Sequence, residues 1–176
     1  MAVATIERSM GVREHRERAI QEAGCAVLTI SDTRTPSDDR SGARLKELLA
    51  GAGHRVLSYG IVPDDPGRIR EALQPLFTDP AIRAIFLSGG TGIAPRDTTF
   101  EAVRSLFEKE IEGFGELFRT LSFQEIGAAA MLSRATAGIV AGKILFSMPG
   151  STAAVELAMQ RLALPELGHA LRLLEG

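Results

Sequence analysis

Four apolar residues, Ala84-Ile85-Phe86-Leu87, run straight into Ser88-Gly89-Gly90-Thr91-Gly92. A short unbroken apolar run stopped by a turn signal predicts a strand buried on both faces, here Arg83 to Ser88. Gly89, Gly90 and Gly92 then free the backbone to take positive φ angles and to turn its N–H groups outward. Beside a helix N-terminus such groups form an anion site, most often for phosphate. Thr98-Thr99-Phe100-Glu101 has the S/T-x-x-E form of a capping box, which starts the helix near Thr98 and predicts that it runs to Phe107. Asp97 is left beside the loop, where a carboxylate repels phosphate unless a cation lies between them. The stretch reads as a phosphate-and-metal site.

Two similar units precede it. Cys25 to Ser31 is an apolar strand that ends in Ser31-Asp32 and a polar loop, Thr33 to Arg40. Ser41 to Gly53 follows as a helix, with Leu45, Leu48, Leu49 and Ala52 on one face and Gly51 and Gly53 as its stop. Arg55 to Val62 is a second strand, ending in Pro63-Asp64-Asp65-Pro66-Gly67. Pro66 suits the first helical position, which makes Asp65 the N-cap and leaves Asp64 free to face a ligand. Ile69, Leu73, Leu76 and Phe77 give that helix its apolar face, and Pro75 should kink it or end it early. Successive βα units imply a mostly parallel sheet with helices on its faces, and ligands bind outside the carboxyl ends of such strands. Ser31-Asp32, Asp64 and Ser88 to Asp97 therefore belong on one rim.

Farther along, Gly113 to Phe123 is expected to be helical, with Phe114, Leu117, Phe118 and Leu121 on one side. The small residues around Ile126 to Ala135 suggest close helix packing. Ala137 to Val140 and Lys143 to Met148 read as a hairpin about Ala141-Gly142. Ser151 is placed to cap a helix to about Leu164, and Pro165 separates that helix from a last one through Leu174. Residues 1–24 form an arm, either a solvated helix or a strap on a neighbouring subunit, and residues 25–176 form one α/β domain.

The formal charge of −2 over 176 residues gives no basic surface of the kind nucleic acid needs. One cysteine, Cys25, precludes an internal disulfide or a cysteine metal cluster and reads as core. His15, His54 and His169 share no ligand spacing. No apolar run reaches membrane-spanning length and no signal-peptide core is present, so a cytoplasmic location is expected. The glycine loop is not a P-loop, since no Gly-Lys-Ser/Thr follows at the required spacing. Pro95 stands where a dinucleotide fingerprint needs its last glycine. With no nucleophile-and-base grouping visible, the rim suits the positioning of phosphates and Mg²⁺, which typically takes one or two carboxylates plus substrate oxygens. Asp64 and Asp97 match that count. From the residues alone, Asp64 is equally a turn residue and Asp97 a second helix cap; for Arg134 the alternative is a surface ion-pair partner.

Five blocks carry a resemblance. They are Val62-Pro63-Asp64, Ser88 to Gly92 with Arg96-Asp97-Thr98-Thr99, Gly113-Phe114-Gly115-Glu116, Leu132-Ser133-Arg134-Ala135, and Met148-Pro149-Gly150-Ser151-Thr152. In this order they resemble the MoaB/Mog family of molybdenum cofactor biosynthesis proteins, from about Ala26 to Leu164. The segments Glu112 to Glu116 and Ser122 to Gly127 are closer to the MoaB branch. The resemblance implies a three-layer α/β/α domain in a homo-oligomer, hexameric in preference to trimeric. It also implies adenylylation of molybdopterin, in which the pterin's terminal phosphate attacks the α-phosphorus of ATP with Mg²⁺ present and pyrophosphate leaves. Asp64 and Asp97 match the family's catalytic, metal-holding acids. Ser31, Asp32, Ser88, Gly89, Gly90, Thr91 and Gly92 match nucleotide- and pterin-binding positions, and Ser133, Arg134, Pro149, Gly150 and Ser151 match the pterin-side wall. Some MoaB-type members bind pterin without being the main adenylyltransferase, so a non-catalytic pterin carrier is the alternative. Retention of Asp64 favours activity.

Overall fold

The computed structural model describes residues 20–175. The strands are β1 (Gly24–Ile30), β2 (Arg55–Val62), β3 (Ala84–Ser88), β4 (Lys109–Glu110), β5 (Thr136–Val140) and β6 (Lys143–Met148). They form one sheet in the order β2-β1-β3-β6-β5-β4. β2, β1, β3 and β6 are parallel, whereas β5 runs antiparallel to both of its neighbours. Every residue of β1, β3 and β6 is buried, as an apolar run without alternation requires when helices cover both faces.

The helices are α1 (Arg40–Gly51), α2 (Pro66–Thr78), α3 (Thr99–Arg104), α4 (Glu112–Ile126), α5 (Thr152–Ala158) and α6 (Leu164–Leu173). Phe86, Phe146 and Met148 pack beneath Leu45 and Leu49 of α1, Phe114 and Phe118 of α4, and Leu167 and Leu171 of α6. Their neighbours in sequence, Ile85, Leu87 and Leu145, point the other way onto Ile69 and Leu73 of α2 and Val103 of α3. Alternation along the strands thus feeds two separate cores. Helices α1 and α2 lie on opposite faces, and the chain leaves β1 toward β2 on one side while β3 lies on the other. The order reverses between β1 and β3, the position at which open α/β sheets hold their ligands.

Several elements depart from expectation. α2 continues through Pro75 to Thr78, with Asp79 N–H donating to the Pro75 carbonyl at 3.2 Å. Pro165 does not divide the C-terminal helices either. A wide π-helical turn at Met159–Ala163 joins α5 to α6, and Pro165 falls in the first turn of α6, where its missing N–H costs little. The segment after α4 is a 3₁₀ helix, Gly127–Leu132, and α4 itself leaves Leu117 exposed. The two-residue β4 has no sequence signature. The β5–β6 hairpin is as expected, with Ala141 and Gly142 both at positive φ. Most of the N-terminal arm lies outside the described residues. The Ile20 amide bonds the Gly168 carbonyl at 3.2 Å, and Ala23 is already buried.

Candidate functional site

Four parallel strands end on one rim, delivering Ser31-Asp32, Asp64, Gly89 and Pro149-Gly150 together. The antiparallel β5 begins there, with Thr136 opposite Ser147, so Ser133 and Arg134 reach the rim from the segment before a strand. All the sequence-predicted site residues therefore share one edge. Two hollows concern most of them, while Asp97 and Arg134 also line a third, about 420 Å³, on the outer side of the loop. Of the two, one is a polar cleft of about 190 Å³ lined by Ser31, Asp32, Asp64, Gly90, Arg96 and Asp97. The other, about 170 Å³, lies against α4 and is lined by Phe118, Ser122, Glu125, Ser133, Pro149, Ser151 and Leu157.

The glycine loop is shaped by its neighbours. Gly89 and Gly90 have φ of 114° and 64°. A side chain on Gly89 would collide with the Ile30 carbonyl, and one on Gly90 would collide with Thr99 Oγ1 and Asp64. A Cβ on Gly92 would stand 2.5 Å from Asp97 Oδ2. The glycines thus let the loop pass directly beside both acids.

Those acids are differently employed. Asp64 Oδ1 accepts from the Thr98 amide (3.1 Å), the Thr98 hydroxyl (2.9 Å) and the Thr99 hydroxyl (3.1 Å). Thr98 is the N-cap residue of α3, but its side chain caps no amide of that helix. The expected capping box is absent because a carboxylate from β2's end does the capping, and Glu101 pairs with Arg134 instead. Asp64 is therefore not spare: one oxygen caps α3, while Oδ2 takes no hydrogen bond among the described residues and lies toward Gly90. Asp32 Oδ1 accepts the Asp64 amide at 3.0 Å. Asp97 Oδ2 accepts the Ala94 amide at 2.9 Å, closing a small turn at the loop's far end.

Arg134 braces that loop. Its Nε donates to the Thr91 carbonyl at 3.3 Å and its Nη2 to the Asp97 carbonyl at 3.0 Å; Nη1 pairs with Glu101, and the guanidinium lies 5.0 Å from the Phe100 ring. Ser151 caps α5 through the Ala154 amide at 3.2 Å, Ser31 Oγ accepts the Thr33 and Arg34 amides, and buried Ser88 bonds Ser41. Ser133 Oγ is buried with no hydrogen-bond partner, an uncommon state for a hydroxyl and one a ligand would relieve.

Sequence reasoning missed Asp39, read as part of a polar loop. Its side chain is fully buried. It caps α1 through the Gly42 amide (2.9 Å) and accepts hydroxyls from Thr29 (2.6 Å), Tyr59 (2.8 Å) and Ser41 (3.1 Å). Burial acts to raise the Asp39 carboxyl, but those donors outweigh it and hold it below the ordinary carboxylate value. Burial and the Asp39 charge push the Tyr59 phenol up to about 12. The available signal was Asp39 three residues before a glycine at a helix start.

Among the described residues no group of three or more His, Cys, Asp or Glu converges to hold a metal unaided, and no helix is long and apolar enough to cross a membrane.

Residues 26–169 match the family model described as a probable molybdopterin binding domain. Molybdenum cofactor biosynthesis protein B of Halalkalibacterium halodurans is 56% identical over 164 residues, covering 93% of this chain and 96% of that protein. A crystal structure of a molybdenum cofactor biosynthesis protein B superposes with a TM-score of 0.85 at 52% identity, covering 88% of this chain and 96% of the other. The molybdopterin biosynthesis enzyme MoaB of Thermus thermophilus superposes with a TM-score of 0.77 at 34% identity, covering 86% and 96%. With the sheet order and the paired hollows already in place, these likenesses settle the affiliation: the chain belongs to the MoaB family of molybdenum cofactor biosynthesis proteins and carries its molybdopterin-binding domain.

Proposed function

We propose that this protein transfers AMP from ATP to the terminal phosphate of molybdopterin. A phosphate oxygen of the pterin attacks the α-phosphorus, the bond from that phosphorus to the bridging oxygen breaks, and pyrophosphate leaves with the electron pair. The observation that carries this reading is the pair of carboxylates flanking the glycine loop where the strand order reverses, beside a second, more apolar hollow. The apolar hollow suits a ring and the polar cleft suits phosphates. A phosphate monoester is mostly dianionic at neutral pH, with a second pKa of about 6, so the attack needs no general base. The demand falls on in-line placement, which the Gly90–Gly92 segment and the Arg134 brace serve; the Gly89 amide is already bonded to the Met148 carbonyl.

Mg²⁺ fits the donor set. Asp64 Oδ2 and the Asp97 carboxylate are hard oxygen ligands, and a bound ion would complete its shell with phosphate oxygens and water. When bound, it neutralises charge on the phosphates. The test is pyrophosphate release from purified protein with ATP, Mg²⁺ and molybdopterin; no release above background, with pterin bound, would overturn the transferase reading.

The capping bonds on Asp64 favour a second reading, a non-catalytic molybdopterin carrier, because they give that acid a structural occupation. A carrier would bind pterin tightly, and Asp64→Asn would lower its melting temperature without changing pterin affinity. We also infer self-association, to a hexamer by family resemblance. Leu117, Phe123, Ile126, Met131 and Leu132 are each exposed on α4 and the 3₁₀ helix, and Phe123 and Met131 line one shallow hollow, apolar surface that association would cover. Sedimentation as a monomer at micromolar concentration would refute it.

A further inference from the structure

Arg34 lies in the loop between β1 and α1, outside every motif noted above, and ties the loop beside the polar cleft to the turn beside the apolar hollow. Its Nη2 donates to the Gly150 carbonyl at 3.1 Å, within the turn whose flanking residues Pro149 and Ser151 line the apolar hollow. Its sequence neighbour Thr33 lines the polar cleft. Nη1 bonds Asp39 Oδ1 at 3.3 Å and also Ser41 Oγ. The side chain remains one-third exposed, whereas that of Asp39 has no exposure.

A guanidinium has N–H groups on Nε and on both Nη atoms, five in all. Nε and one N–H of Nη2 have no acceptor among the described residues. Arg134 differs: all three of its nitrogens are committed to the protein. Arg34 shares the Asp39 carboxylate with Thr29, Tyr59, Ser41 and the Gly42 amide. The Asp39 carboxylate, Ser41 and the Gly150 carbonyl thus hold the guanidinium and leave its Nε and one Nη2 N–H open on a one-third exposed side chain.

We propose that Arg34 binds the phosphate monoester of the pterin ligand as it passes from the apolar hollow to the polar cleft, with Asp39 as the residue that positions it. This rests on the pterin reading given above. A ring held against α4 and a phosphate delivered to Asp64 and Asp97 must be joined across this junction. A planar donor edge there suits a tetrahedral oxyanion better than a point charge does.

The experiment compares binding of molybdopterin with that of its dephosphorylated form, and of ATP with Mg²⁺, to wild type, Arg34→Gln and Arg34→Lys. Loss of charge-assisted hydrogen bonds should weaken phosphorylated pterin by about 10- to 100-fold in Arg34→Gln. The dephosphorylated form should bind as before. Arg34→Lys should restore part of the loss. Wild-type affinity should rise as pH passes about 6 upward, where the phosphate becomes dianionic, and this rise should shrink in Arg34→Gln. Equal weakening of both pterins would mean a structural role and overturn the proposal, as would a loss confined to ATP. If wild type binds neither pterin, the pterin reading fails and Arg34's role falls with it. If wild type binds both and Arg34→Gln changes neither, only the role of Arg34 fails.

Discussion

The two halves of the rim are built by different physics. Around β1, β2 and β3, each site acid is bonded to another part of the protein: Asp32 to the Asp64 backbone, Asp64 to the start of α3, Asp97 to Ala94. Around β5, β6 and α4, the wall is largely apolar, the buried hydroxyls of Ser133 and Ser147 have no partner, and the adjoining 3₁₀ segment exposes Met131 and Leu132. The first half is organised before any ligand arrives, as a site for chemistry at phosphorus requires. The second is organised for burial, and of its two unpartnered hydroxyls Ser133 lines the hollow where a ligand could meet it. Geometry at one end and affinity at the other is the division of labour to test.

The largest effect should come from the polar half. Asp97→Asn should reduce pyrophosphate release by roughly 100-fold or more, on the scale of losing one electrostatic contact to a transition state. Pterin affinity, measured by fluorescence quenching, should stay unchanged. A parallel loss of affinity would show that the halves are not separate. Next, Gly90→Ala should destabilise the fold by about 1–3 kcal/mol in thermal melts, since a side chain at that positive φ is strained and meets Thr99. An unchanged melting temperature would mean that the loop is softer than its contacts suggest.

Asp39 sharpens the comparison through pH. Its folded-state value is lowered, so its contribution to stability is present above the unfolded value of about 4 and is lost as pH falls through the folded one. Wild type should therefore lose stability below about pH 4 more steeply than Asp39→Asn, as followed by denaturant midpoints. The smallest stability effect belongs to the apolar half. Ser133→Ala removes an unpartnered buried hydroxyl, so the melting temperature should hold or rise slightly, while pterin affinity falls. Unchanged affinity would leave that hydroxyl without a ligand role.

The legible parts of the chain were those specified by local pattern. The apolar runs of β1, β3 and β6, the Asp65-Pro66 helix start and the Ala141-Gly142 turn each carry their cause within a few residues, and the structure follows them closely. The errors fall where a distant partner outcompetes a local rule. Thr98 and Glu101 had a capping box available, but Asp64 and Arg134, from β2's end and the approach to β5, supplied stronger charged partners. Pro75 and Pro165 broke nothing because packing on the sheet holds their helices together. The rim itself was legible from strand ends, but its brace was not. Arg34 and Asp39 sit in a loop without periodicity, and Gly150, which Arg34 holds, is far away in sequence. The exposed side of α4 was likewise misread, since periodicity shows that Leu117 is apolar and not what covers it.

The wide turn at Met159–Ala163 has a consequence for how the chain tolerates change in length. One residue advances an α-helix by about 100°, so the extra residue in a π turn acts as a phase shift between the helices it joins. α5 buries Val155 and Ala158, and α6 buries Leu167 and Leu171, only because that shift aligns both stripes on the same sheet face. Deleting one residue there would spare every hydrophobic side chain named and still rotate α6 out of register with the core. The ten residues of that helix are in this sense spelled by a count as much as by composition.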